Sequence, residues 1–262
     1  MTALFLPCYN EQDRIGGVLA RVAEVGALLD EVVVVDDGST DRSLEAIARA
    51  PIPVTIIRHA RRKGLGECFR SAYRHVLERG FEVFAVMAGN GKDDPCELGR
   101  VLAPIAEGRA DYVQGSRYLP GGLSRRLPAH RDLAIRVFTS AVSLLYGQRL
   151  SDCSNGYRAY RTAVLRDPRV DRDAAWLGHS YQIEIYLLLK TLMLGYSVVE
   201  VPVSKVYPAD GHGYSKARLV DWWNMLKPVV WCRLGLDRVG GRRAAGVELA
   251  GTERTGAVSR DT

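Results

Sequence analysis

Cysteine is scarce and unpatterned in this sequence. Cys8, Cys68, Cys96, Cys153 and Cys232 are odd in number and scattered, with no Cys-x-x-Cys pair. That argues against a disulfide framework or a cysteine-built zinc site and implies reduced, mostly buried thiols. Long apolar runs are missing as well. A spanning helix needs about 18 or more consecutive apolar residues, and charge or proline interrupts every run here well before that. The opening MTALFLPCYN has no basic n-region and no small-residue cleavage site, so no signal peptide is expected and a cytoplasmic protein is. No Gly-x-Gly-x-x-Gly fingerprint follows a strand, so neither flavin nor NAD is expected. The chain has no internal repeat beyond the alternation described below.

What is present suits one ordinary globular domain of 262 residues, 47% hydrophobic and 25% charged. Lys and Arg number 36 against 30 Asp and Glu, a net +6. The Arg residues are spread along the whole length, so the sum names no partner, and nucleic acid is not expected as one. The expected domain runs over 1–237. From 238 to 262 the chain is Gly, Ala, Arg, Thr and Glu without apolar periodicity, and this tail is expected to be disordered.

The first half repeats one unit: a short apolar run, a turn, then an amphipathic stretch. The runs are Ala3 to Leu6, Glu31 to Val35, Val54 to Ile57 and Val83 to Met87, with helices expected near 12–28, 41–50 and 65–79. Such alternation predicts an α/β fold, a mostly parallel central sheet with helices on both faces. Ligands then bind outside the carboxyl ends of the strands. Those ends carry Pro7-Cys8-Tyr9-Asn10-Glu11, Asp36-Asp37-Gly38-Ser39-Thr40-Asp41, Arg61-Arg62-Lys63-Gly64-Leu65-Gly66 and Ala88-Gly89-Asn90-Gly91-Lys92-Asp93-Asp94-Pro95. Any one of them reads equally well as turn and helix-cap chemistry; four in succession point to a site. Later come a strand over 111–117 ending in Gly-Ser-Arg, a helix from Arg131 to Tyr146, and the motif Asp152-Cys153-Ser154-Asn155-Gly156-Tyr157-Arg158. An apolar helix over 181–194 carrying Glu184, a strand from Val198 to Val206 and a helix over 219–236 interrupted or entered at Pro228 complete the pattern.

Pro-Cys-Tyr-Asn-Glu at 7–11, Asp-Asp-Gly-Ser-Thr-Asp at 36–41 and the later motifs together resemble family 2 glycosyltransferases of the GT-A fold, over roughly residues 3 to 220. Within that family the chain is similar to the dolichol-phosphate mannose synthase branch. The resemblance implies a single GT-A domain and a nucleotide-sugar donor, with a GDP-sugar favoured over a UDP-sugar. It implies that Pro7, Tyr9, Asn10 and Glu11 surround base and ribose, beside Lys63 and Gly64, and that Asp36 or Asp37 accepts N–H groups of the base. It implies a diphosphate and sugar held by Lys92, Arg117, Arg158, Lys205, Tyr207, His212 and Lys216. Asp152, Glu184, Arg158 and His179 are the implied catalytic group. Because Glu184 falls in an apolar helix it needs a partner, for which Arg158 is the candidate; a purely structural ion pair is the alternative.

The chain departs from its family at one point. Ala88-Gly89-Asn90 occupy the positions of the Asp-x-Asp that holds a divalent ion. Asn90 and Asp93, with Asp94 beside them, are the candidate ligands for Mg²⁺ or Mn²⁺, and Lys92 is the alternative that neutralises phosphate directly; both readings stay open. The acceptor is unidentified, with a polyprenyl phosphate at the inner membrane surface as one expectation. Trp222, Trp223 and Trp231 with Lys227 and Arg233 read first as core or a homodimer contact and second as an interfacial helix. A flavin-independent pyranose–furanose mutase acting on the nucleotide sugar itself is the competing function.

Overall fold

The computed structural model describes residues 1–178, 180–208 and 219–238 of the chain. His179, His212, Lys216 and the tail from 239 onward lie outside the described residues.

Strands β1 (Thr2–Cys8), β2 (Glu31–Asp36), β3 (Thr55–Arg58) and β4 (Val83–Val86) alternate with helices α1 (Ile15–Glu24), α2 (Ser43–Ala48) and α3 (Leu65–Glu78). The chain continues through α4 (Leu98–Ala106), β5 (Tyr112–Ser116), β6 (Leu123–Arg125), α5 (Ala129–Tyr146), β7 (Arg158–Arg161) and α6 (Thr162–Arg166). It then forms α7 (Gln182–Met193), β8 (Val198–Pro202), β9 (Ser204–Val206) and α8 (Leu219–Arg233). Seven strands make the central sheet in the order β3-β2-β1-β4-β7-β5-β8. Every pairing is parallel except the two made by β7.

The sheet is covered on both faces, which is why its strands read as unbroken apolar runs. Ala3 and Phe5 of β1 face a core built with Phe69 and Tyr73 of α3 and with much of α7. Leu4 and Leu6 face the opposite core, with Ile15 and Leu19 of α1 and Val101 and Ile105 of α4. Aromatic rings fill the first core: Phe5 meets Phe69 edge-on, and Tyr112 stacks on Tyr160 at 5.2 Å with 9° between planes.

Three features differ from the sequence expectation. The late strand is divided, with β9 leaving the main sheet to pair with β6. Helix α8 runs through Pro228 without a break; proline removes one N–H donor, and the helix is held instead by Val229 and Cys232 in the core and by Trp231 stacked on Trp176. The side chains of Trp222 and Trp223 lie outside the described residues, so the interfacial reading is left with Trp231, which packs inward. Finally, β7 inserts antiparallel between β4 and β5. Because it runs backwards, its first residue, Arg158, sits at the edge where its parallel neighbours end. Among the described residues no helix is long and apolar enough to cross a membrane.

Candidate active site

A cavity of about 280 Å³ opens at the carboxyl edge of the sheet. Its wall takes Pro7 and Glu11 from the end of β1, Met87 to Asn90 and Lys92 from the end of β4, Arg117 after β5 and Arg158 at the start of β7. Glu184 of α7, Lys205 of β9, Tyr207, Arg131 and Ile135 of α5 and Met225 of α8 complete the polar and apolar lining used below. Lys92, Arg117, Arg131, Arg158 and Lys205 make five cations against the two carboxylates of Glu11 and Glu184.

Three of these cations are anchored by buried acids. Arg117 Nε and Nη2 donate to the two oxygens of Asp152 at 2.6 and 2.8 Å, and its Nη1 donates to the Tyr207 hydroxyl at 3.0 Å. Asp152 also accepts from the Arg117 and Ser154 backbone amides, so it stands behind Arg117 and not in the cavity wall. Arg158 Nη2 lies 3.4 Å from Glu184 Oε1 and donates to the Asn155 carbonyl. Its Nη1 donates to Tyr112 Oη at 2.9 Å and to the Glu184 carbonyl at 3.2 Å. The anticipated pairing of Glu184 with Arg158 is therefore present. Burial raises the Glu184 carboxyl above its ordinary range, with Arg158 pulling the other way.

Lys205 Nζ donates to Asp93 Oδ1 at 2.5 Å and to Asn155 Oδ1 at 3.0 Å. Lys92 is different. Among the described residues its ammonium has no hydrogen-bonded or carboxylate partner and rests 5.4 Å from the centre of the Tyr207 ring. Burial, followed by repulsion from Lys205, brings it down to about 8. An unpaired, largely desolvated cation on a cavity wall is costly unless an anion joins it.

The nucleotide-binding candidates divide. Pro7 and Glu11 line the cavity; Tyr9, Asn10, Lys63 and Gly64 occupy the adjoining loops. Asn10 ties two of those loops together, accepting the Thr40 amide at 2.9 Å and donating its own amide to Ser39 Oγ at 3.0 Å. Tyr9 lies under the Arg62 guanidinium, 4.3 Å from its ring centre. The expectation that Asp36 or Asp37 accepts base N–H groups meets a different geometry. Asp37 spends its oxygens on the Lys63 and Gly64 amides, each at 2.8 Å, and on His59 Nδ1 at 2.8 Å. Asp36 is buried and accepts the Ser39 amide across the turn that Gly38 allows with φ 74°. Both carboxylates build the loops because their backbone amides have no other acceptor there.

A divalent ion at the end of β4 finds few ligands. Ala88 and Gly89 bring none, and a Cβ at 89 would come within 2.6 Å of the Pro7 carbonyl oxygen. Asn90 offers one amide oxygen, buried and without a partner. Asp93 is committed on both sides, to Lys205 and to the Ala88 amide at 2.9 Å. Glu11 accepts from Arg14 at 3.2 Å. Hard cations require several oxygen ligands, and this set does not fit one. Elsewhere Asp37, His59 and Cys68 approach within 4.8 Å of one another. Asp37 is satisfied as described, His59 Nε2 bonds Ser71 Oγ at 2.9 Å, and burial raises the Cys68 thiol so that it holds its proton.

Sequence reading missed Arg131, Tyr112 and Asn155. Arg131 sits in the first turn of α5, where nothing distinguishes it from a solvated cation, and Tyr112 and Asn155 act only through the cations they hold.

Residues 3–167 match the family model described as Glycosyl transferase family 2. A polyprenol monophosphomannose synthase of Mycolicibacterium smegmatis is 33% identical over 208 residues, 78% of this chain and 76% of that one. An undecaprenyl-phosphate mannosyltransferase of Micrococcus luteus is 32% identical over 205 residues, 77% and 82% of the two chains. Among solved structures, the glucosyl-3-phosphoglycerate synthase of Mycobacterium tuberculosis, in complex with Mn²⁺, UDP and glucosyl-3-phosphoglycerate, matches with a TM-score of 0.64. That match covers 90% of this chain and 80% of the other at 18% identity, a likeness of fold.

Proposed function

The chain belongs to glycosyl transferase family 2 and is a glycosyltransferase of GT-A fold, and from this we propose that it moves a sugar from a nucleoside diphosphate donor onto a polyprenyl phosphate. A GDP-sugar is the preferred donor, in keeping with relatives named for mannose transfer. The observation that carries the reading is the charge of the cavity. Lys92, Arg117, Arg131, Arg158 and Lys205 converge on it, three of them held in place by Asp152, Glu184 and Asp93, an array of positioned N–H donors suited to phosphate oxygens.

Base and ribose are assigned to the loops after β1 and β2, against Pro7, Tyr9, Asn10 and Glu11. Asp36, Asp37, Lys63 and Gly64 act by shaping those loops. Lys92 and Lys205 face the donor diphosphate, and Arg117, Arg131 and Arg158 the acceptor phosphate and the sugar. In the reaction an ionised oxygen of the acceptor phosphate forms a bond to the anomeric carbon. The bond from that carbon to the donor's β-phosphate oxygen breaks, and the nucleoside diphosphate leaves with the electron pair. The nucleophile is already ionised, so no proton has to be removed. Asp152 and Glu184 accordingly serve to hold Arg117 and Arg158.

The acceptor's lipid tail suits the outer face of the same helices. Leu133, Val137 and Leu144 lie along one side of α5 at 63%, 61% and 85% exposure, while Arg131 and Ile135 of that helix line the cavity. On α8, Leu226 and Val230 are exposed and Met225 faces inward. Tyr146 Oη bonds the Val229 carbonyl at 2.8 Å and joins the two helices. Apolar side chains beside a cationic cavity mouth match the boundary of an anionic membrane.

The test is incubation with labelled GDP- and UDP-sugars, with and without polyprenyl phosphate. Label passing into extracted lipid only when GDP-sugar and acceptor are both present supports the assignment. An isomeric nucleotide sugar formed without acceptor would overturn it.

A further inference from the structure

We infer that this transferase neutralises the donor diphosphate with Lys92 and Lys205 in place of a divalent metal ion. The inference rests on the donor site proposed above and adds how that site handles charge.

Two independent features carry it. The first is the ligand set at the end of β4. Ala88, Gly89 and Asn90 bring a single side-chain oxygen to the cavity, and Gly89 is locked by its approach to the Pro7 carbonyl. The nearest acid in sequence, Asp93, already has both oxygens engaged. One of its oxygens caps the Ala88 amide and the other accepts from Lys205. An incoming dication would have to break that contact and sit beside two ammonium groups, Lys92 and Lys205, which repel it.

The second feature is the supply of donors. An ammonium has three N–H groups. Asp93 and Asn155 take two from Lys205, which leaves one for a ligand in the cavity it lines. Lys92 lines the same cavity and, among the described residues, gives its ammonium no oxygen partner. Lys92 and Lys205 come from segments joined by backbone contacts, since Val206 N donates to the Lys92 carbonyl at 2.8 Å and Asp93 bridges Lys205. The backbones that carry the two ammonium groups are therefore set relative to each other before a ligand arrives, and the Lys205 ammonium is itself fixed by Asp93 and Asn155.

Calorimetric titration of GDP and UDP into the full chain, in EDTA and again in Mn²⁺, tests this. The expected result is an affinity that agrees within about twofold between the two conditions, since tenfold in affinity is about 1.4 kcal/mol and no ligand contact is lost. Lys92→Met should weaken binding by about tenfold to a hundredfold, the worth of a charge-assisted hydrogen bond, with Lys92→Arg recovering part of it. Circular dichroism melting establishes that both variants fold. Binding seen only with Mn²⁺ would overturn the metal-free site while keeping the donor site. Binding unaffected by Lys92→Met would overturn the role of Lys92. Absence of binding in both conditions would overturn the donor site itself.

Discussion

Arg117 and Asp152 form a fork-to-fork ion pair with solvent excluded from both: Nε to Oδ2 at 2.6 Å and Nη2 to Oδ1 at 2.8 Å, the side chains 2% and 0% exposed. The carboxylate also takes the Arg117 and Ser154 amides, so it fixes both the guanidinium and the loop that carries it. Asp152→Asn leaves a buried guanidinium without its countercharge. A loss of about 3–5 kcal/mol is expected, measured by urea denaturation of the two proteins. A variant as stable as the parent would show that the pair is replaceable by water.

Glu184 offers a contrast between holding and catalysing. As the partner of Arg158 in a reaction with an ionised phosphate acceptor, it has no proton to take. Glu184→Gln should then lower kcat/KM by less than about a hundredfold and leave the shape of the pH–rate profile unchanged, because a lost general base costs about 10²–10⁴. Disappearance of the acidic limb of that profile would make Glu184 the base.

The pH dependence of donor binding follows from Lys92. Its value is lowered from 10.5 to about 8 in the folded protein, so the ammonium is present below that pH and lost above it. Affinity for a nucleoside diphosphate should fall as the pH rises beyond about 8. Lys92→Arg, which stays charged throughout, should flatten the alkaline fall in a calorimetric series.

Gly89 is a packing requirement at the cavity floor. An added Cβ would meet the Pro7 carbonyl oxygen at 2.6 Å and Ile15 Cδ1 at 3.2 Å, and the carbonyl belongs to strand β1 and cannot swing aside. Gly89→Ala is expected to cost about 1–3 kcal/mol, visible as a lower melting temperature, and to weaken nucleotide binding as Pro7 shifts.

The outer side of α5 is testable apart from the chemistry. Replacing Leu133, Val137 and Leu144 together by Ser should reduce co-sedimentation with anionic vesicles and leave GDP affinity in solution unchanged. If vesicle binding is unaffected and a dimer seen by light scattering becomes a monomer, the face is a contact between copies of the chain.

The four strand ends were legible because parallel strands buried on both faces read as plain apolar runs, and turn chemistry must follow each. The lysines and arginines of the cavity, Arg131 apart, were legible as motif members. Their individual partners were partly so: an isolated acid in an apolar helix demands a cation, which pointed from Glu184 to Arg158. Nothing comparable announced that Lys205 belongs to Asp93, more than a hundred residues away, or that Asp37 serves the amides of Lys63 and Gly64. Backbone amides have no sequence signature. The short strand Arg-Ala-Tyr-Arg at 158–161 escaped for a related reason, since four mixed residues carry no period of their own.

Sequence alone determined the fold class, the family and the absence of a carboxylate at 88–90, because periodicity and residue chemistry are local and survive without coordinates. Tertiary structure decided which charges meet. By inserting β7 antiparallel it brought Arg158 to the carboxyl edge, and by pairing Lys205 with Asp93 it engaged the acid nearest to 88–90 in sequence and left Lys92, among the described residues, without a hydrogen-bonded partner in the cavity. Coulomb energies in a dry cavity depend on separations of a few ångströms, and only the packed chain sets those.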